Sequence, residues 1–276
     1  MVIHSASSPY NTTPSSDEVM AAVRQGNSLA QAHLQQVKLR GVDLAGVDLS
    51  QANLIGADLS QANLSQANLS GADLRGANLQ GATLMGAILR GSLLFRALLQ
   101  GCTLQDADLE AAQLKLALYD SQTAWPEGYE YRKVGAIGPK ASLNGAFLNT
   151  ANLRGADLRE INLRGAHLSG TYLSGADLSG AALSGANLKG AFLTGACLRD
   201  ARLNGVELEG ADLRATDLTN ASLEQIQSIA GADFTLAQGL TDETIAMLSC
   251  CPIQDLGTWN AFTRTSTGQS LGLGMQ

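Results

Sequence analysis

Few residues of this chain have the types and spacing that chemistry requires. His4, His33 and His167 are widely separated, and no nucleophile–base–carboxylate set can be assembled around them. Aspartates recur at five-residue spacing, as at Asp43 and Asp48, and repeated carboxylates raise the question of a calcium-binding site. Calcium needs about six to eight convergent oxygens, whereas these carboxylates are expected to point outward singly. We therefore expect a protein that is not an enzyme, with no catalytic residue, no cofactor and no metal site.

The cysteines and glycines do not change this expectation. Cys102 occupies a position where small residues point inward, and Cys197 an outward position. Cys250 and Cys251 are adjacent, without a nearby His or CxxC partner. The glycines recur at regular positions instead of forming a phosphate-binding loop between a strand and a helix. We interpret all four cysteines as structural or incidental.

The element that must position every side chain is a ladder of leucines five residues apart. It comprises 35 leucines in two unbroken runs, Leu29 to Leu114 and Leu143 to Leu223. Two before each leucine the chain prefers a small residue, usually Ala, the residue between them is usually polar, and Gly is frequent two after the leucine. This period fits neither a helix nor an ordinary strand. It predicts short extended segments joined by corners, with four corners closing a coil of 20 residues.

The repeating letters also carry a resemblance. Runs such as Ala52-Asn53-Leu54-Ile55-Gly56-Ala57-Asp58-Leu59 resemble the A-(D/N)-L-x-x motif of the pentapeptide-repeat family, over about three-quarters of the chain. The segment Thr123–Tyr129 is similar to a T-x-W-P-x-G-aromatic segment of many cyanobacterial members. The resemblance implies an all-β solenoid, a right-handed quadrilateral parallel β-helix, with short helical caps at both ends. It specifies the fold closely and the function poorly.

Breaks in the ladder predict the organisation of the chain. Ser15 and Glu18 have the spacing of a capping box, Gly26 suits a helix end, and Thr241 suits an N-cap. Whether one solenoid resumes after the central break is not decided by sequence, and we favour one continuous stack. The predicted segments are a disordered N-terminus (1–14), an N-terminal capping helix (15–26), a first solenoid part (27–119), an aromatic loop insertion (120–142), a second solenoid part (143–223), and a C-terminal cap helix and tail (224–276) whose last Ser/Thr/Gly stretch is disordered.

Charge and hydropathy exclude several functional classes. The net charge is −7, but the two ladder regions are nearly neutral, and the last 53 residues carry five acids against one base. No basic stripe suggests direct nucleic-acid binding. No segment is long and apolar enough to span a bilayer, and the start lacks the regions of a signal peptide. A cytoplasmic location is the resulting expectation.

Candidate binding residues lie where the ladder breaks or its outward letters become apolar. Either the loop and tail cover these residues, or the residues form exposed interfaces. The same choice applies to the loop itself, whose rings either pack back on the solenoid wall or recognise a partner. The candidates are Trp125, Tyr129 and Tyr131 in the loop; Met85, Ile88, Leu93, Phe95 and Leu98 in the first solenoid part; Tyr172 and Phe192 in the second; and Trp259 and Phe262 in the tail.

The predicted function is a non-catalytic protein–protein interaction scaffold with an unidentified protein partner and an undetermined oligomeric state. The alternative comes from the family resemblance, because its quinolone-resistance members imitate the charge of DNA and bind gyrase. One outward column is acidic, with Asp157, Asp177 and Asp217 interrupted by Cys197. Arg159 and Arg199 lie beside it and are expected to offset much of its charge. This charge balance argues against a DNA mimic.

Overall fold

The structure is a computed structural model that describes residues 14–273. The chain forms two compact units, Met1–Ile137 and Gly138–Gln276, which are called unit one and unit two. The expectation of one continuous stack stays a prediction. The expected disorder at the N-terminus concerns residues that, up to position 13, lie outside the described part of the chain.

Stacked coils of 20 residues form the body of each unit. In unit one His33 pairs in parallel with Asn53, and Asn53 with Asp73; in unit two Asn162 pairs with Ala182. The amide of Asn53 donates to the Ala32 carbonyl at 2.9 Å, and the Leu34 amide donates to the Asn53 carbonyl at 2.8 Å. Such pairs recur every five residues, so each coil has four faces. The predicted 20-residue coil is confirmed.

The corners explain the preference for glycine. The Ala52 amide donates to the Leu49 carbonyl at 3.1 Å across a four-residue turn. The third residue of this turn, Gln51, has φ 56°, and the equivalent Gly56 has φ 64°. A turn with positive φ at its third position favours Gly but accepts Asn, Gln or Asp at a modest cost. The corner therefore repeats even where Gly is absent.

The core of each unit is the leucine ladder. All 35 ladder leucines are buried, and the most exposed of them, Leu143, is only 7% exposed. The small residue two positions earlier packs on the same side, as Ala52 and Ala176 do at 0% exposure. Alternation along the extended segments leaves the intervening polar residue outside. The leucines thus exclude water from a narrow interior that holds few large rings.

Helices precede the coils of unit one and follow those of unit two. Helix α1 (Ser16–Arg24) precedes the first coil, and the predicted capping box between Ser15 and Glu18 is present. In unit two, α2 (Asp242–Ser249) begins after Thr241, whose hydroxyl accepts from the Thr244 amide. Two short helices follow, α3 (Ile253–Gly257) and α4 (Thr267–Ser270). Residues Tyr131–Lys133 form a single 3₁₀ turn in unit one.

The expected end of the second solenoid part at residue 223 is wrong. Ser228 pairs with Glu207, Asp233 with Asp212, and Gln238 with Asp217, so the coils continue to Gln238. One extra residue lies between Ser222 and Ser228, which shifts the ladder without ending it. Ile229 and Phe234 then take the inward positions, at 0% and 2% exposure. The triplet Ala232-Asp233-Phe234 was the available sequence signal.

Two further expectations need correction. The segment 120–142 is not a separate insertion, because Ala124 pairs with Thr103 and Ile137 with Leu118, which adds a partial coil to unit one. The final Ser/Thr/Gly stretch is ordered up to residue 273, since α4 carries its own capping box from Ser266. Thr267 is fully buried and donates to the Ile229 carbonyl at 2.9 Å. Buried polar contacts of this kind order a segment whose composition suggests disorder.

Candidate interaction surfaces

An array of aromatic rings crosses one face of unit two. Tyr172 and Phe192 pair in adjacent coils, and their rings stack with centroids 4.9 Å apart and planes 6° apart. Phe262 from the tail meets Phe192 edge-on at 5.2 Å. The Arg154 guanidinium lies 4.0 Å from the Tyr172 ring, a favourable cation–π contact. We call Tyr172, Phe192 and Phe262 the aromatic ladder.

A short hairpin presents the outer end of the aromatic ladder. Trp259 and Ser266 form an antiparallel bridge, and Asn260 beside them is only 4% exposed. The Asn260 amide nitrogen donates to the Gly231 carbonyl at 2.7 Å, and its side-chain oxygen accepts from the Phe262 amide at 2.9 Å. Trp259 and Phe262 are nevertheless 56% and 67% exposed. The last coil therefore holds two solvent-facing rings in place.

The tail covers the aromatic column only in part. Phe262 contacts Phe192, as expected if the tail packs on this face, but Tyr172 and Phe192 stay half-buried. Sequence reasoning missed Asn260, the residue that fixes the hairpin. Its position between two aromatic residues in a turn-forming stretch was the only available signal. A single aromatic surface thus joins candidates from the second solenoid part and the tail.

The rings of the central segment are packed mainly against one another. Trp125 stacks on Tyr131 at 5.3 Å and on Tyr129 at 5.7 Å, and meets Tyr119 edge-on at 5.4 Å. Tyr119 takes the next position of the leucine ladder and is 3% exposed. Burial raises the pKa of Tyr129. These four residues, the aromatic cluster, favour a packing role over free presentation to a partner.

The apolar outward residues of unit one do not share a face. Ile88, Leu93 and Leu98 pair with Asn68, Asp73 and Asn78 respectively, which places them on three successive faces of one coil. Met85 and Ile88 are 45% and 39% exposed, whereas Leu93, Phe95 and Leu98 are half-buried. Each face thus presents little apolar area. These apolar residues of unit one are a weaker candidate interface than the aromatic ladder.

The acidic column of unit two is largely paired with arginine. Arg159 contacts Asp157 at 2.7 Å and Asp177 at 3.7 Å, and Arg199 contacts Asp217. Such exposed ion pairs contribute little stability, but they reduce the negative potential of the face. DNA presents unpaired charge at every step along its length. The pairing expected from the sequence is present.

The Asp217 carboxylate predicts a defined acid dependence. Hydrogen bonds from Thr219, with Arg199 beside it, lower the pKa of Asp217 to about 2, below the ordinary value of 3.8. Its stabilising contribution is therefore present above pH 3.8 and is lost as the pH falls toward 2. We expect Asp217→Asn to lower the free energy of unfolding at neutral pH, with the difference vanishing across that window. Urea unfolding at a series of pH values measures this difference in stability. Thr219→Val removes the side-chain hydrogen bond to Asp217, so it should bring the pKa of Asp217 closer to 3.8 and narrow the pH range over which the stability is lost. A pH-independent difference would contradict the assignment.

Within residues 14–273, no three His, Cys, Asp or Glu side chains are grouped to hold an ion. Cys102 is fully buried and donates to the Leu79 carbonyl at 2.8 Å, and burial raises the pKa of its thiol to about 12. His167 stacks on Phe147 at 4.4 Å. In the same part of the chain, none of the helices has the length and apolar character needed to cross a bilayer.

The stacked 20-residue coils with a leucine interior define a repeat protein of the solenoid class. The family model for pentapeptide repeats matches in eight copies, at residues 28–66, 52–91, 140–170, 161–200 and 196–227, which together cover more than half of the chain. The chain belongs to the pentapeptide repeat family. A comparison with curated proteins gives no match.

Solved structures of pentapeptide repeat proteins are also similar to the chain. HetL from the cyanobacterium Nostoc sp. PCC 7120, involved in heterocyst differentiation regulation, is 30% identical over 81% of this chain and 96% of its own, with a TM-score of 0.38. Rfr23 from the cyanobacterium Cyanothece 51142 is 41% identical over 34% of this chain and 63% of its own, with a TM-score of 0.34. QnrB1, a plasmid-mediated fluoroquinolone resistance protein, is 18% identical over 79% and 92%, with a TM-score of 0.27.

Proposed function

We propose that this protein is a non-catalytic scaffold and that unit two binds a protein partner through the aromatic ladder together with Trp259. The single observation that carries the proposal is the exposure of Phe262 and Trp259 on a hairpin that Asn260 anchors. Large exposed rings held by a rigid element suit interface hot spots, since little conformational entropy is lost on binding. The cytoplasmic location and the right-handed path of the coils belong to the same proposal.

The charges of unit two support a protein partner over a mimic of DNA. The carboxylates of Asp157 and Asp217 are paired with guanidinium groups on the same face. A surface of paired charges has a weak field, so it does not attract a DNA-binding cleft over distance. The aromatic rings beside Arg154 instead offer an apolar surface with the positive charge of the guanidinium next to it. We therefore expect the purified protein not to inhibit gyrase supercoiling.

A matched pair of phenylalanines tests the proposed surface. Phe262 and Phe147 are both exposed, at 67% and 75%, but Phe147 stacks on His167 outside the aromatic ladder. We expect Phe262→Ala to weaken partner binding at least roughly tenfold, which is the effect of a hot-spot residue, and Phe147→Ala to leave it unchanged. Quantitative affinity purification from native lysate identifies the partner, and titration of that purified partner gives the affinities.

Two outcomes would overturn the proposal. One is a partner that binds the Phe262→Ala and Trp259→Ala variants as tightly as the unaltered protein. The other is potent inhibition of gyrase supercoiling that survives both substitutions, which would favour a different surface and a different target. Circular dichroism of each variant establishes that the hairpin substitutions leave the coils intact.

A further inference from the structure

Three basic residues lie at or beside one corner of unit one. The Arg96 amide donates to the Lys115 carbonyl at 3.3 Å, because the two residues occupy the same corner in successive coils. The Leu116 amide donates to the Gly135 carbonyl at 2.8 Å, which places the next layer of this corner at Gly135. Arg132 lies in the 3₁₀ turn just before that layer. We call Arg96, Lys115 and Arg132 the basic corner.

The charges of the basic corner are exposed and unpaired. None of its three side chains forms an ion pair with a carboxylate among residues 14–273. The neighbouring bases differ, since Arg75 and Lys133 contact carboxylates at 2.6 and 2.8 Å. Glu130 is close enough to act on Arg132, but its carboxylate is the one paired with Lys133. The corner therefore presents positive charge on a protein whose net charge is −7.

Aromatic rings support the two guanidinium groups of the basic corner. Arg96 Cζ lies 5.2 Å from the centroid of the Phe95 ring, and Arg132 Cζ lies 5.5 Å from that of Tyr131. Both distances are within the range of a cation–π contact. Tyr131 is itself stacked on Trp125 at 5.3 Å, so Arg132 rests on a packed ring. A guanidinium held in this way loses less conformational freedom when it binds a carboxylate.

The spacing of the layers favours an acidic α-helix as the bound segment. Neighbouring strands of a ladder are about 4.8 Å apart, so positive charge recurs along the corner in steps of about this length. Residues at i and i+4 of an α-helix are about 5–6 Å apart. Residues on one side of an extended strand are about 6.8 Å apart, which matches less well. A lipid-binding cluster typically has about four to eight basic residues, more than this corner offers.

We propose that the basic corner docks an acidic α-helix of a protein partner, with carboxylates at i, i+4 and i+7 facing the three cations. The guanidinium groups of Arg96 and Arg132 donate paired hydrogen bonds to carboxylates, and the Lys115 ammonium adds a point charge. This surface belongs to unit one and does not depend on the aromatic ladder of unit two. Its test is therefore independent of the test of the proposed function.

Fluorescence anisotropy of the full chain with a labelled alanine-rich peptide, carrying glutamates at i, i+4 and i+7, tests the surface. We expect binding that weakens as salt is added. Arg96→Gln, Lys115→Gln and Arg132→Gln should each lower the affinity roughly threefold, and together roughly thirtyfold, since each removes one exposed charge. Arg96 has φ 58°, and Gln51 takes the same conformation at another corner with φ 56°, so Arg96→Gln keeps the turn.

Two controls establish what is recognised. Lys38→Gln removes an exposed lysine of the first coil and should leave the affinity unchanged, in contrast to Lys115→Gln. The same peptide with glutamine in place of each glutamate should not bind. Circular dichroism of each variant establishes that the coils are intact.

Each contrary outcome overturns the proposal. Absence of binding at low salt, or binding that the triple variant retains, would remove the site. An equal loss in Lys38→Gln would show a diffuse field instead of a corner. Tighter binding of a peptide with alternating glutamates in an extended strand would contradict the helix. Tighter binding of duplex DNA or of anionic vesicles, lost in the triple variant, would assign the corner to a different class of partner.

Discussion

Replacing Gly239 with alanine is expected to destabilise the last coil of unit two by roughly 3–5 kcal/mol. An added Cβ at Gly239 would lie 2.3 Å from the Thr219 nitrogen and 2.7 Å from the Leu218 carbonyl carbon. These are backbone atoms of the preceding coil, so they cannot move aside without breaking the ladder. Gly239 also has φ +80°, which an L-residue adopts at a cost.

Gly190 provides the matched control for this substitution. It has φ +62°, and an added Cβ would meet nothing within 4 Å. Alanine already takes this conformation at Ala215, with φ 53°. We therefore expect Gly190→Ala to cost only about 1–2 kcal/mol, the backbone cost alone. Denaturant midpoints and hydrogen exchange in residues 213–238 measure both variants, and equal effects would refute the steric argument.

Replacing Trp125 with alanine is expected to lower the free energy of unfolding of unit one by roughly 3–5 kcal/mol. Trp125 touches all three other rings of the aromatic cluster, so its loss leaves a cavity beside Tyr119. Its indole nitrogen is buried without a hydrogen-bond partner among the described residues. Trp125→Phe should consequently keep most of the stability, because it loses volume but no polar contact. Denaturant unfolding followed by circular dichroism measures the difference.

Trp259 distinguishes a structural ring from a presented one. It is 56% exposed, so Trp259→Ala should cost less than about 1 kcal/mol of stability, as surface substitutions generally do. The two substitutions thus have different expected effects: Trp125→Ala lowers stability, whereas Trp259→Ala weakens partner binding. If Trp125→Ala left stability unchanged and abolished partner binding, the central segment would be a recognition loop after all.

The sequence predicted local geometry well wherever the interacting residues are close together in the chain or recur at a fixed period. Ser15 and Glu18 form the expected capping box because both partners lie within one helical turn. The leucine period fixed the coil length because each leucine needs the same apolar interior. The end of the solenoid was misjudged because one added residue between Ser222 and Ser228 breaks the period in the letters but not the hydrogen-bonded ladder.

The sequence identified the residues of the candidate surfaces but not how those residues contact one another in space. The 20-residue coil placed Tyr172 above Phe192 from sequence alone. No spacing rule connected Phe262 to this column, since the contact depends on the path of the tail. Three rings of the aromatic cluster, Trp125, Tyr129 and Tyr131, were likewise visible in the sequence, but their stacking on one another and on Tyr119 was not.

The sequence by itself determined the coil, its leucine core and its polar outer positions, because a five-residue period acts through contacts between adjacent coils and corners. The tertiary structure alone decided how the non-repeating segments fold over that scaffold. Asn260 reaches the Gly231 carbonyl across 29 residues, and Thr267 reaches Ile229 across 38. Such contacts have no periodic signature, because each joins one buried polar side chain to one backbone carbonyl far away in the sequence. The exposed rings of the hairpin arise there.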